Sequence, residues 1–306
     1  MASPYHQDLT AARWIPRFSY GRRLAKFMHD MKPRPVEPGD GVTVTEVAVS
    51  ETTSIRLFRP SGIAGPVPTL LWIHGGGHLF GSPEQDDRSN IAFTRELGIV
   101  VAAVRYRLGA DAPSPASLED CHAALRHVVE NAADLGVDPT RIAIGGASAG
   151  GGIAAALVLQ THDRGEIPVA FQLLIYPMLD DRTTLRTDLD KLPVRMWTTK
   201  SNNRGWRTYL GGEPGVDGIS PYAAPARRAD LSGLPPTWIG VGTVDLFYDE
   251  DVEYARRLRT AGVTCTLDIV SGAFHGFDQL FAKTPVASSF LQAQMNALRS
   301  GGINSR

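Results

Sequence analysis

The chain has 306 residues, 43% of them hydrophobic and 21% charged, with a formal net charge of −1 at pH 7. That length suits a single α/β unit with additions, and a near-neutral balance without a block of five like charges gives no reason to expect a nucleic acid or an anionic membrane as partner. No apolar run nears the ~18 residues that cross a bilayer, and residues 1–8 lack the basic and apolar regions of a secretory signal, so cytoplasmic residence without stable membrane insertion is expected.

Residues 1–40 carry Trp14, Phe18, Phe27 and Met28 ahead of the proline-rich stretch Pro33-Arg34-Pro35-Val36-Glu37-Pro38-Gly39, and read as part of a cap. Residues 42–49 and 54–59 look like an antiparallel opening pair joined by Glu51-Thr52-Thr53. Residues 70–74 form the next strand, which runs into His74-Gly75-Gly76-Gly77. Three consecutive glycines leave main-chain N–H groups of Gly76 and Gly77 open to a small anionic atom, as an oxyanion hole requires. A phosphate loop is disfavoured, because no GK[ST] follows and no GxGxxG with a later ribose-binding acid can be assembled. Ser82-Pro83-Glu84 reads as a helix start with serine as cap, residues 99–104 as a central strand, and residues 118–135 as one helix closing at Gly136. Its apolar face includes Leu118, Cys121, Leu125 and Val128. Cys121 and Cys265, the two cysteines of the chain, are expected as buried free thiols.

Strand 141–144 leads into Gly146-Ala147-Ser148-Ala149-Gly150, which reads as a nucleophile elbow. A serine projected from a sharp strand-to-helix turn needs near-absent side chains two positions either side, and Gly146 and Gly150 meet that need. The residues from Gly151 to Leu159 then run as a buried helix whose amino end aims partial positive charge at the reacting centre, with the Ala149 N–H as a third oxyanion donor. Residues 171–176 supply another strand. Residues 180–222, with Trp197, Trp206 and Tyr209, break the alternation and read as the second cap segment, leaving 41–179 and 223–306 as the core. Residues 236–242 form a buried strand with Asp245 just past its carboxyl end, where ligands gather in open α/β sheets. Asp249, Glu250 and Asp251 open a helix and are expected to be solvated or capping groups. After edge strand 263–270, the loop Phe274-His275-Gly276-Phe277 carries the base.

Ser148, Asp245 and His275 fall in the chain order nucleophile, acid, base. The other seven histidines are set aside: His6, His29 and His162 lie in polar or terminal surroundings, and His122 and His127 ride the 118–135 helix. His74 and His78 precede the serine, so His74 is assigned a loop-bracing role and His78 none. Neither HExxH nor paired cysteines at ligand spacing occur, so no metal is expected.

With these motifs in this order, the chain resembles the hormone-sensitive lipase branch of the α/β hydrolases, the bacterial family IV esterases. The likeness spans nearly the whole chain. It includes Val104-Arg105-Tyr106-Arg107-Leu108 and Pro113-Ser114-Pro115-Ala116, similar to the segment that braces the oxyanion loop in that family. Two departures stand out: Gly109-Ala110-Asp111 replaces Ala-Pro-Glu, removing a proline that would fix φ, and Ala147 replaces an aspartate common before the nucleophile. The resemblance implies an α/β fold with a mostly parallel sheet flanked by helices under a helical cap. It also implies hydrolysis of short- to medium-chain carboxylic esters by water through an acyl-enzyme, without a cofactor. A homodimer through an edge strand near the carboxyl terminus is compatible with it. The same serine machinery acting on an amide, lactone, carbamate or acetylated natural product stays open. So does a non-catalytic ligand receptor on the same fold, against which His275 argues.

Overall fold

The computed structural model describes residues 3–31, 34–63 and 65–305. Met1 and Ala2 of the leader reading and Pro33 of the linker lie outside the described residues. Eight strands, β1 (Val42–Ala48), β2 (Ser54–Pro60), β3 (Val67–Ile73), β4 (Val100–Arg105), β5 (Val137–Ala147), β6 (Phe171–Ile175), β7 (Thr237–Gly242) and β8 (Cys265–Val270), form one sheet in the order β1-β2-β4-β3-β5-β6-β7-β8. The β1–β2 and β2–β4 pairs are antiparallel, and every later pair is parallel.

The helices are α1 (Arg22–Asp30), α2 (Asp87–Leu97), α3 (Ala116–Glu130), α4 (Ala132–Leu135), α5 (Ala149–Arg164), α6 (Thr199–Leu210), α7 (Tyr248–Thr260), α8 (Phe277–Leu280) and α9 (Pro285–Ser300). A parallel strand covered on both faces must be apolar throughout, and β3 is buried at all seven positions. Its side chains alternate between two cores. Leu71 and Ile73 meet Leu118, Leu157 and Leu258 of α3, α5 and α7. Leu70 and Trp72 meet Phe93 of α2 with Phe290 and Leu298 of α9. A third cluster, with Tyr20, Leu79, Trp197, Trp206, Tyr209 and Phe247, sits over the carboxyl ends of the strands. Among the described residues no helix is long and apolar enough to cross a membrane.

Three local expectations are corrected. The 118–135 helix breaks at Asn131, whose side-chain amide donates to the His127 carbonyl at 2.9 Å and so competes with the helical ladder. Ser82 stands at a cap position but makes no capping hydrogen bond, and Pro83–Asp86 is a short 3-10 turn before α2 begins at Asp87. Of the acids opening α7, only Asp249 is exposed; Glu250 and Asp251 are buried. The signal was present, because the buried stripe Leu258, Ala255, Tyr254 continues backward by helical spacing onto Asp251 and Glu250.

The amino-terminal residues divide. Tyr5, Leu9 and Ala12 belong to the second core, and the His6 N–H donates to the Gly272 carbonyl at 3.0 Å. Phe18 and Met28 join the third cluster, while Trp14 and Phe27 are exposed.

Candidate active site

The sheet reverses its winding at β3, with β4 on one side and β5 on the other, and ligand crevices open at the carboxyl ends of strands at such a point. β3 delivers His74 and the triple glycine there, and its neighbour β5 delivers Ser148, with Ile73 paired to Gly146. Ser148 is held at φ 57°, ψ −123°, a conformation that side chains other than glycine adopt at a cost. The neighbouring backbone explains the glycines. A Cβ on Gly150 would lie 2.2 Å from the Ile73 carbonyl oxygen, and one on Gly146 would lie 2.5 Å from that of Gly150. A Cβ on Gly75 would lie 2.9 Å from the Ala147 carbonyl oxygen.

His275 Nδ1–H donates to Asp245 Oδ2 at 2.8 Å, and the Ser148 hydroxyl donates to His275 Nε2 at 2.8 Å. The second carboxylate oxygen of Asp245 accepts from the Phe247 N–H at 3.0 Å, so the acid is fixed from both sides. All three side chains are buried. Tyr176, at φ +35°, sets its ring edge-on to His275 with centroids 4.6 Å apart, and its hydroxyl donates to Asp278 at 2.8 Å.

The N–H groups of Gly76 and Gly77 make no hydrogen bond among the described residues, and Ala149 opens α5, where the first N–H groups lack an acceptor within the helix. Two glycines of the loop sit at positive φ, +121° for Gly76 and +61° for Gly77. His74 donates from Nδ1 to the Gly75 carbonyl at 2.8 Å and stacks on Tyr106, whose hydroxyl donates to the His74 carbonyl at 2.7 Å. Burial pulls the His74 pKa down to about 4, which keeps the ring neutral in its bracing position.

Sequence reasoning missed several contributors. His78 stacks on Tyr209 at 3.8 Å and pins the loop to α6; burial lowers its pKa to about 3. Gly109 has a reason in the fold, since a Cβ there would lie 2.9 Å from Tyr209 Cα, and Asp111 Oδ2 accepts from the Leu108 N–H at 3.2 Å. Trp197 lies so close to Gly77 that a Cβ on the glycine would be 1.9 Å from its ring. Asp86 accepts from Trp72 Nε1 and from Gln279 Nε2, both at 2.8 Å, linking β3 to the segment that follows His275, and burial raises its pKa to about 7. Glu250 accepts from the Leu179 N–H at 2.7 Å and from the Thr183 hydroxyl, with its pKa raised by burial to about 8.

Ser148, His275, Gly76 and Gly77 face a cavity of about 370 Å³ whose wall is mostly apolar, including Tyr20, Met28, Phe80 and Trp197. Among the described residues no group of three or more His, Cys, Asp or Glu side chains could hold a metal ion. Cys121 and Cys265 are both buried and unpaired.

Comparison with known proteins identifies the family of the fold. A family model described as the α/β hydrolase fold matches residues 70–279. Carboxylesterase NlhH of Mycobacterium tuberculosis is 34% identical over 251 residues, covering 80% of this chain and 77% of that protein. Esterase LipI of the same organism is 30% identical over 279 residues, covering 89% and 86%. Among solved structures, a bacterial heroin esterase superposes with a TM-score of 0.88 at 37% identity, covering 99% of both chains. Esterase LipW from Mycobacterium marinum gives 0.79 at 36%, covering 86% and 83%.

Proposed function

Because the chain belongs to the hormone-sensitive lipase branch of the α/β hydrolases and is a carboxylic ester hydrolase, we propose that Ser148, His275 and Asp245 hydrolyse esters through an acyl-enzyme. His275 Nε2 takes the hydroxyl proton as Ser148 Oγ bonds to the acyl carbon. Asp245 keeps the other ring proton on Nδ1 and stabilises the imidazolium that forms. The carbonyl electron pair moves onto oxygen, where the N–H groups of Gly76, Gly77 and Ala149 receive it. As the carbonyl re-forms, the ester C–O bond breaks and the leaving alcohol oxygen takes the proton from Nε2. Water then adds to the acyl carbon with His275 as base, and collapse releases the carboxylic acid and restores Ser148.

The observation that carries this reading is the unbroken pair of 2.8 Å contacts from Ser148 through His275 to Asp245. A cavity of about 370 Å³ is at the small end of the roughly 300–1,000 Å³ typical of ligand pockets, in keeping with short- to medium-chain acyl groups. The cap of this proposal comprises residues 1–40 and 180–222 over a core of 41–179 and 223–306. A cytoplasmic location is supported by the two buried thiols left unpaired, and a homodimer through the free edge of β8 by the exposure of Ile269 there.

A p-nitrophenyl ester series of rising acyl length tests the assignment, with Ser148→Ala as control. Turnover should be highest on the short esters, and the variant should lose about a million-fold in kcat. Turnover by Ser148→Ala at the parental rate would sink it.

A further inference from the structure

Leu24, Phe27 and Met28 of α1 and Met31 just past its end recur at i, i+3, i+4 and i+7, the spacing by which a surface helix turns an apolar stripe to the core. Here Met28 packs on the third cluster, while the rest of the stripe turns outward. Only Ala25 of the helix is buried, whereas Leu24, Phe27 and Met31 are 37%, 60% and 44% exposed. Met28 and Met31 line the catalytic cavity, and so does Leu280, which is itself 48% exposed. The mouth of the cavity is therefore rimmed by apolar side chains in water. Of the nine exposed large hydrophobic side chains among the described residues, five lie between residues 14 and 36, a concentration that marks an interaction surface and not scattered exposure.

The charge on the rest of the segment identifies the partner. Arg22, Arg23 and Lys26 are all exposed on α1, preceded by exposed Arg13 and Arg17. Against these five, residues 13–31 hold one acid, Asp30, and it is paired with Lys26 at 2.9 Å. A net charge of −1 for the whole chain thus conceals a locally cationic segment. An apolar stripe on a helix whose opposite, polar face is cationic matches an anionic lipid–water interface. A second copy of this chain would bring like charges face to face across a two-fold axis.

We propose that α1 and Leu280 form a docking face for an anionic lipid surface, from which ester substrates pass directly into the cavity. The passage of esters rests on the proposed function; the docking itself does not, and the two are read separately. Full-length protein is sedimented with vesicles of phosphatidylcholine alone and with vesicles half phosphatidylglycerol, while turnover of soluble p-nitrophenyl acetate is followed in parallel. Binding to the anionic vesicles should exceed that to the neutral ones by at least about tenfold and fall as salt rises, since each basic residue near such a surface contributes roughly fivefold. Arg22→Glu/Arg23→Glu and Leu24→Ser/Phe27→Ser should each cut vesicle binding at least about tenfold while soluble-ester turnover stays within about twofold. Equal binding to both vesicle types, no binding, or variants that bind like the parent would overturn the docking face. So would a parent dimer that Leu24→Ser/Phe27→Ser converts to monomer, which would give the stripe to a second copy. Loss of soluble-ester turnover in the parent with vesicle binding intact would instead overturn the esterase assignment alone.

Discussion

Gly76 holds φ +121°, and a Cβ there would lie 1.8 Å from the Phe80 carbonyl oxygen. Backbone cannot yield as a side-chain tip can, so Gly76→Ala must displace the loop that carries the proposed oxyanion donors. The expected result is a fall of about 100-fold or more in kcat/KM for a soluble ester, with thermal melting showing that the variant still folds. Asp86 supports a different prediction. Burial raises its pKa to about 7, above the roughly 3.9 of an unfolded aspartate. Its folded form therefore keeps a proton that the unfolded chain has released, and stability is lost as pH rises from about 4 through 7. Asp86→Asn holds the site neutral at every pH. Its melting temperature relative to the parent should climb across that window and level off above it; a constant offset from pH 4 to pH 8 would refute the assignment.

At the scale of elements, α6 and the oxyanion loop are in direct backbone contact. A Cβ on Gly205 would lie 2.6 Å from the Gly77 carbonyl oxygen, so a residue in mid-helix is glycine because another main chain passes there. Replacing an exposed mid-helix glycine by alanine stabilises by about 1 kcal/mol. Gly205→Ala should do the reverse, lowering both the melting temperature and kcat, which chemical denaturation and ester kinetics will report. His78 holds the same junction by stacking on Tyr209. Its imidazole stays neutral in the fold down to about pH 3, while the unfolded ring takes a proton near 6.5. Stability therefore drains away as pH falls below about 6.5, by about 3 kcal/mol at pH 4.5, with His74 adding to the slope. His78→Asn keeps a residue that tolerates the positive φ of 62°. Denaturation midpoints should show it less stable at pH 7 but with a shallower decline toward pH 4.5.

Across the whole molecule, what the sequence made legible was what depends on backbone geometry. The elbow glycines, the triple glycine and the order Ser148, Asp245, His275 announce themselves because close main-chain approach tolerates few residue types. The continuous burial of β3 follows from its unbroken apolar run, and the opening pair from two short β-prone runs on either side of a turn. Contacts that depend on distant elements meeting were not legible. Asp86 looks like an ordinary surface acid until Trp72 and Gln279 converge on it, and the outward stripe of α1 is indistinguishable by spacing from an inward one. The amino-terminal dozen residues illustrate the same limit. Tyr5 sets its ring edge-on to Phe274 at 6.1 Å, Leu9 and Ala12 are buried against the second core, and His6 is bonded to Gly272. The segment is thus strapped across the loop that carries His275, although nothing in its own sequence names that partner. Leu9→Ala should cost about 2–5 kcal/mol in denaturant unfolding, as truncation of a buried leucine does. Removing residues 1–12 should lower kcat on a soluble ester more than it raises KM, because Tyr20, Met28 and Met31 remain in the cavity wall. Removal through residue 31 should raise KM as well. Unchanged kcat and unfolding midpoint after loss of the first twelve residues would show that the strap does not position His275.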